Sequence, residues 1–159
     1  MRNGTGWNRN IHYYDLVLRS APPDCRRALD VGCGTGALAR RMAHYCPDVT
    51  AIDVDDRTLE RAMADTESRT RATFIKGDVM TYPFREGSFD FITAVASLHH
   101  LPREPALIRF RDLLRSKGVL AVVGLYRLHT LADYAWAGLA SPVSLIFRCV
   151  RGCANVGAP

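Results

Sequence analysis

The chain has 159 residues, 48% hydrophobic and 23% charged, which suits one globular domain with a substantial core. Its formal charge of +5, from 21 Lys+Arg against 16 Asp+Glu, is scattered in pairs such as Arg26-Arg27 and Arg40-Arg41. Without a basic run carrying interleaved aromatics, no nucleic-acid partner is expected. No 18-residue apolar run suits a membrane span, and no apolar leader opens the chain, so the expected location is cytoplasmic.

Residues 1–9 are polar and rich in Gly and Asn, a lead-in to the domain. Ile11, Tyr14, Val17 and Leu18 then form an apolar stripe that predicts a helix over residues 10–20, ended by Ala21-Pro22-Pro23-Asp24. Residues 28–40 read ALDVGCGTGALAR. A strand ends at Val31, glycines follow at positions 32, 34 and 36, and Leu38, Met42 and Tyr45 fall at helical spacing. Strand, glycine turn and helix in that order make a ligand-binding βα junction. Such a turn lets the backbone approach a ligand closely.

A second strand is expected over residues 49–54, with Asp53 at its carboxyl end. Asp55-Asp56 offers a cap for a helix carrying Leu59, Ala62 and Met63. The third strand spans residues 72–75, before Gly77-Asp78-Val79 and a loop, YPFREGS, at residues 82–88. The fourth, FDFITAVA over residues 89–96, is apolar at nearly every position, as in a strand covered on both faces. It leads into Ser97-Leu98-His99-His100-Leu101. A helix over residues 105–115 is expected to bury Leu107, Phe110, Leu113 and Leu114 and to stop at Lys117-Gly118, before a fifth strand at residues 119–125. Beyond it come a helix at residues 130–139, a strongly apolar segment at 141–150 and a small-residue tail at 152–159. Five cysteines, Cys25, Cys33, Cys46, Cys149 and Cys153, contain no CxxC pair or zinc set, and read as thiols of a reducing compartment.

The string LDVGCGTG, residues 29–36, resembles motif I of the class I S-adenosylmethionine-dependent methyltransferases: an acidic residue, an apolar one, then GxGxG. Gly32-x-Gly34-x-x-Ala37 also fits a dinucleotide fingerprint. A carboxylate at Asp30 would repel a pyrophosphate there, whereas it suits a ligand with an ammonium and a sulfonium. Further segments resemble the same family: "GD" after the third strand, the "F…SFD" segment, "LHHL" after the fourth strand, and LLRSKGVL before the fifth, with Ser116-Lys117 where Pro-Gly is usual.

The resemblance covers residues 11–126 and implies a single domain, a Rossmann-like α/β/α sandwich. Its mostly parallel sheet has five strands in the order 3-2-1-4-5, the family's sixth and seventh strands being absent. It implies S-adenosylmethionine as cofactor, with S-adenosylhomocysteine as product. The methionine end meets Asp30, Gly32, Cys33, Gly34 and Gly36, with Ala96 nearby. Asp53, followed by Val54, holds the ribose, and Asp78 with Val79 reads the adenine. Tyr13, from the N-terminal helix, reaches the cofactor mouth. His99 and His100 are the candidate proton acceptors in a metal-independent methyl transfer to a small molecule. Two other readings stand beside this one: a non-catalytic cofactor-binding relative acting through a partner, and an NAD(P)-dependent oxidoreductase. A missing sixth strand would leave the fifth with an open edge. The apolar segment at residues 139–147 is expected first to pack into the core; the alternatives are that it covers that edge, forms a homodimer, or lies on a membrane surface.

Overall fold

The computed structural model describes residues 11–64, 72–124 and 150–151. Helix α1 (Ile11–Arg19) leads into strand β1 (Arg27–Val31), then α2 (Ala37–Met42), β2 (Asp48–Asp53), α3 (Asp56–Ala64) and β3 (Ala72–Lys76). Strand β4 (Phe89–Val95) follows, then a 3-10 turn (Leu98–His100), α4 (Arg103–Leu113), β5 (Leu114–Val123) and β6 (Val150–Arg151). The sheet order is β3-β2-β1-β4-β5-β6, with β1 to β5 parallel, which gives the expected five-strand order.

The pleat sends alternate residues to opposite faces. Ala28 of β1, Val49 and Ala51 of β2, Phe91 of β4 and Ala121 of β5 face a core closed by Tyr14 and Val17 of α1 and Leu38 and Met42 of α2. Leu29, Val31, Ile52, Ile92 and Leu120 face the other way, against Ala106, Phe110 and Leu113 of α4. Both faces are therefore covered, as βα crossovers require.

Several local expectations change. The helix α2 ends at Met42, and Tyr45 lies 64% exposed outside it. Met63 is exposed although Leu59 and Ala62 of its helix are buried. In α4 the buried set is Ala106, Phe110 and Leu113, so Leu107 faces outward and Leu114 opens the next strand. The reason lies in the pairing. Leu114 already pairs with Phe89, and Val119 with Phe91, so residues 115–118 make a bend inside β5 rather than a helix stop. Lys117 takes a left-handed φ of 68° at that bend.

The cysteines also differ from expectation, because Cys25 and Cys46 form a disulfide. Each stands two residues before its strand, and Arg27 pairs with Asp48 in parallel register, which brings the two thiols side by side. Cys33 is a buried thiol. The two-residue β6 occupies part of the β5 edge that the sequence left open, antiparallel at Val119 and Leu120. The lead-in, the helix at residues 130–139, the apolar segment before Val150 and the tail lie outside the described residues. Among those described, no helix is long and apolar enough to cross a membrane.

Candidate functional site

In a sheet whose strand order reverses between β1 and its neighbours, the carboxyl ends of the strands border a crevice. Here that crevice is a cleft of about 480 Å³. Its walls come from the turn after β1 (Gly32, Gly34), the end of β2 (Asp53, Val54, Asp55), the turn after β3 (Asp78, Val79) and the segment after β4 (Ala96, Ser97, His100).

The glycine turn is held from below. The N–H groups of Gly32 and Cys33 both donate to the Ile52 carbonyl, at 2.9 and 3.2 Å. The Gly34 N–H donates to Asp53 Oδ2 at 2.7 Å. Gly32 has a φ of 68°, and a Cβ there would collide with the Cβ of Ser97. Gly34 has a φ of 53°, and a Cβ there would meet nothing within 4 Å. One glycine thus admits a neighbouring strand end, while the other, which lines the cleft, faces open space. Gly36 serves packing instead, since a Cβ there would strike the Phe74 ring and Arg40.

Asp53 is aimed by two backbone donors, Gly34 on Oδ2 and Asp55 on Oδ1 at 3.0 Å. Each carboxylate oxygen retains acceptor capacity. Asp78 Oδ1 accepts the Met80 N–H at 2.9 Å and its carbonyl accepts from Thr81 and Tyr82, which curls the loop around it. Asp55 caps α3 through the N–H groups of Arg57 and Thr58. The Thr58 side chain, then those backbone groups, hold its carboxyl below the usual range. Three carboxylates therefore line a cleft in a chain of net charge +5. Such a rim favours hydroxyl, amine and cationic groups and repels a pyrophosphate.

Opposite, Ala96 holds a left-handed φ of 54°, rare for a residue with a Cβ. Its N–H donates to the Val123 carbonyl at 2.8 Å. The buried Ser97 hydroxyl donates to the Val31 carbonyl at 2.7 Å, clamping the end of β4 to the end of β1. The His100 N–H donates to the Ser97 carbonyl.

Of the residues singled out in the sequence, Gly32, Gly34, Asp53, Val54, Asp78, Val79, Ala96 and His100 line the cleft, whereas Asp30, Cys33, Gly36, Tyr13 and His99 do not. Asp30 shares a pleat face with Ala28, so it turns toward α2 beneath the glycine turn. It is 2% exposed, with Oδ1 accepting from Thr93 Oγ1 at 2.7 Å and no hydrogen bond for Oδ2 among the described residues. Burial, with a smaller push from the Asp53 charge, raises its pKa to about 7. Burial also pushes the Cys33 thiol well above its usual range, which makes it a poor nucleophile. Tyr13 packs against the core on the α2 side. The His99 ring lies against that of His100, with centroids 3.8 Å apart.

Sequence reasoning placed the Ser97 backbone near the methionine end but missed its hydroxyl's clamp on Val31, and missed Thr93 altogether; hydroxyls within or just after an apolar run were the available signal. It also missed Arg109, which reaches from α4 to the loop after β3. No local pattern marks that contact.

A protein-family profile described as a methyltransferase domain matches residues 29–122. The chain is 39% identical over 118 residues to an uncharacterized methyltransferase of Mycobacterium tuberculosis, covering 74% of this chain and 59% of that protein. It is 38% identical over 100 residues to a demethylmenaquinone methyltransferase of Roseiflexus castenholzii, covering 62% and 41%. The crystal structure of the [4+2]-cyclase SpnF resembles it with a TM-score of 0.65 and 29% identity, covering 74% of this chain and 46% of that one. The chain thus spans between two fifths and three fifths of the length of these relatives. Matched from the first strand to the fifth, it belongs to the methyltransferase-domain family, the class I S-adenosylmethionine-dependent methyltransferases.

Proposed function

We propose that the cleft binds S-adenosylmethionine and that the protein transfers its methyl group to a small-molecule acceptor. The carrying observation is the acidic cleft wall, with Asp53 fixed by two backbone donors beside the open face of Gly34. Asp53 would accept the ribose hydroxyls. Asp78 would accept from the adenine amino group, with the Val79 N–H donating to the ring and Val54 beside it. The Gly32–Gly34 backbone and Ala96 border the methionine end.

The cofactor supplies an electrophilic methyl group on a sulfonium. The protein's part is alignment of the acceptor and, where the acceptor carries a proton, its removal. His100 is the cleft residue suited to take that proton, and the His99 ring lies tilted against it. The demethylmenaquinone methyltransferase among the relatives supports a small-molecule acceptor. Likeness to a [4+2]-cyclase supports a second reading, in which the cofactor is bound but no methyl group moves.

Calorimetric titration of the chain with S-adenosylmethionine and S-adenosylhomocysteine tests the first step. Micromolar binding of both is expected. Asp53→Ala should weaken it by about 1–3 kcal/mol, as for hydrogen bonds to a charged group, and unchanged affinity would remove Asp53 from the site. Retained binding without turnover on any acceptor favours the second reading.

A further inference from the structure

We propose that Arg109 is a positioning residue for the adenine pocket, holding from α4 the loop that carries Asp78 and Val79. The inference rests on the cofactor reading above. The Arg109 guanidinium donates through Nη2 to the Tyr82 carbonyl at 2.7 Å and through Nε to the Val79 carbonyl at 3.4 Å. It is half-buried and makes no salt bridge among the described residues. Its hydrogen-bonding capacity is thus directed at backbone carbonyls rather than at a carboxylate.

Those two carbonyls bracket the tightest part of the loop. Within it, the N–H groups of Met80, Thr81 and Tyr82 all return to Asp78. These bonds close the loop on itself and leave its placement against the domain to other contacts. On one side the Gly77 N–H donates to the Asp53 carbonyl at 2.9 Å. On the other the Tyr82 ring meets that of Phe84 at a tilt, and Phe84 meets Phe89 edge to face. Arg109 joins the middle of the loop to the helix layer. A planar fork fixes two carbonyls at once, which a lysine ammonium does not reproduce. The geometry therefore assigns Arg109 to the orientation of the Asp78 carboxylate and the Val79 N–H, and through them to the choice of base.

Binding of S-adenosylhomocysteine and S-inosylhomocysteine to the full chain tests this. The second ligand presents a 6-oxo group where adenine presents an amine, so the wild-type chain should prefer the first. Arg109→Met is expected to reduce that preference five- to tenfold, and Arg109→Lys to restore part of it. Without ligand, hydrogen exchange at the Met80–Tyr82 amides should accelerate in both variants, more in the methionine one. An equal loss of affinity for both ligands, or an unchanged preference, overturns the positioning role. Unaltered exchange overturns it too. If the wild-type chain binds neither ligand, the cofactor reading itself falls, and this role with it.

Discussion

At the scale of single residues, Asp30 shows how one position is both legible and hidden. Its place before the glycine turn was evident from the string LDVGCG, but its direction was not. An alternating pattern reveals which way a side chain points only when one face of the sheet is wet, and here both faces are covered. Register then turns Asp30 into the core. Its raised pKa has a thermodynamic consequence. Between the ordinary value of 3.8 and the folded value of about 7, the folded chain keeps a proton that the unfolded chain has released. Stability therefore falls as pH rises through that window, by roughly 4 kcal/mol at most from the shift alone. Asp30→Asn preserves an acceptor for Thr93 and removes the ionisation. Urea unfolding at pH 4 and pH 8 is expected to show the asparagine variant gaining on the wild type at the higher pH. Identical pH slopes for the two proteins would show that Asp30 does not titrate in this range.

At the scale of elements, the strands and helices were legible because their periods and their breakers are local. The junction between α4 and β5 was not. Lys117-Gly118 carries the composition of a helix stop, yet Leu114 is already paired with Phe89 and the helix has ended four residues earlier. That pairing depends on residues 25 positions upstream, which no local pattern reports. The bend leaves a lysine in the left-handed region, and a Cβ on Gly118 would crowd the Arg115 carbonyl. A left-handed residue with a Cβ costs about 1–2 kcal/mol relative to its ordinary conformation. Glycine removes that strain but adds freedom to the unfolded chain. Lys117→Gly should therefore stabilise the fold by about 0.5–1 kcal/mol, seen as a higher urea midpoint at an unchanged slope. Lys117→Val, β-branched, should lower the midpoint.

At the scale of the whole molecule, the two ends of the sheet have different duties. The carboxyl ends of the strands frame the cleft, and most of that frame was legible because glycines and carboxylates stand at strand ends in sequence. The amino ends hold the sheet together, through contacts that sequence hides because their partners are far apart. Asp90 accepts the Arg26 and Arg27 N–H groups on Oδ2 and the Arg115 guanidinium on Oδ1, tying β4 to β1 and β5. Although partial burial works the other way, those donors hold its carboxyl below the ordinary value. Beside it the Cys25–Cys46 disulfide closes a loop with a sequence separation of 21, containing β1, the glycine turn and α2. Closing a loop of that length removes about 3 kcal/mol of conformational freedom from the unfolded chain in the entropic account. Reduction should therefore lower unfolding stability by about that amount, measured by urea titration with and without dithiothreitol. Because the bond lies at the end of the sheet away from the cleft, reduction of the folded chain should leave S-adenosylhomocysteine affinity unchanged. Cys25→Ala with Cys46→Ala should reproduce both results. An unfolding midpoint insensitive to reductant would mean that the two thiols are not joined in solution, and a parallel loss of affinity would mean that the base of the sheet sets the shape of the glycine turn.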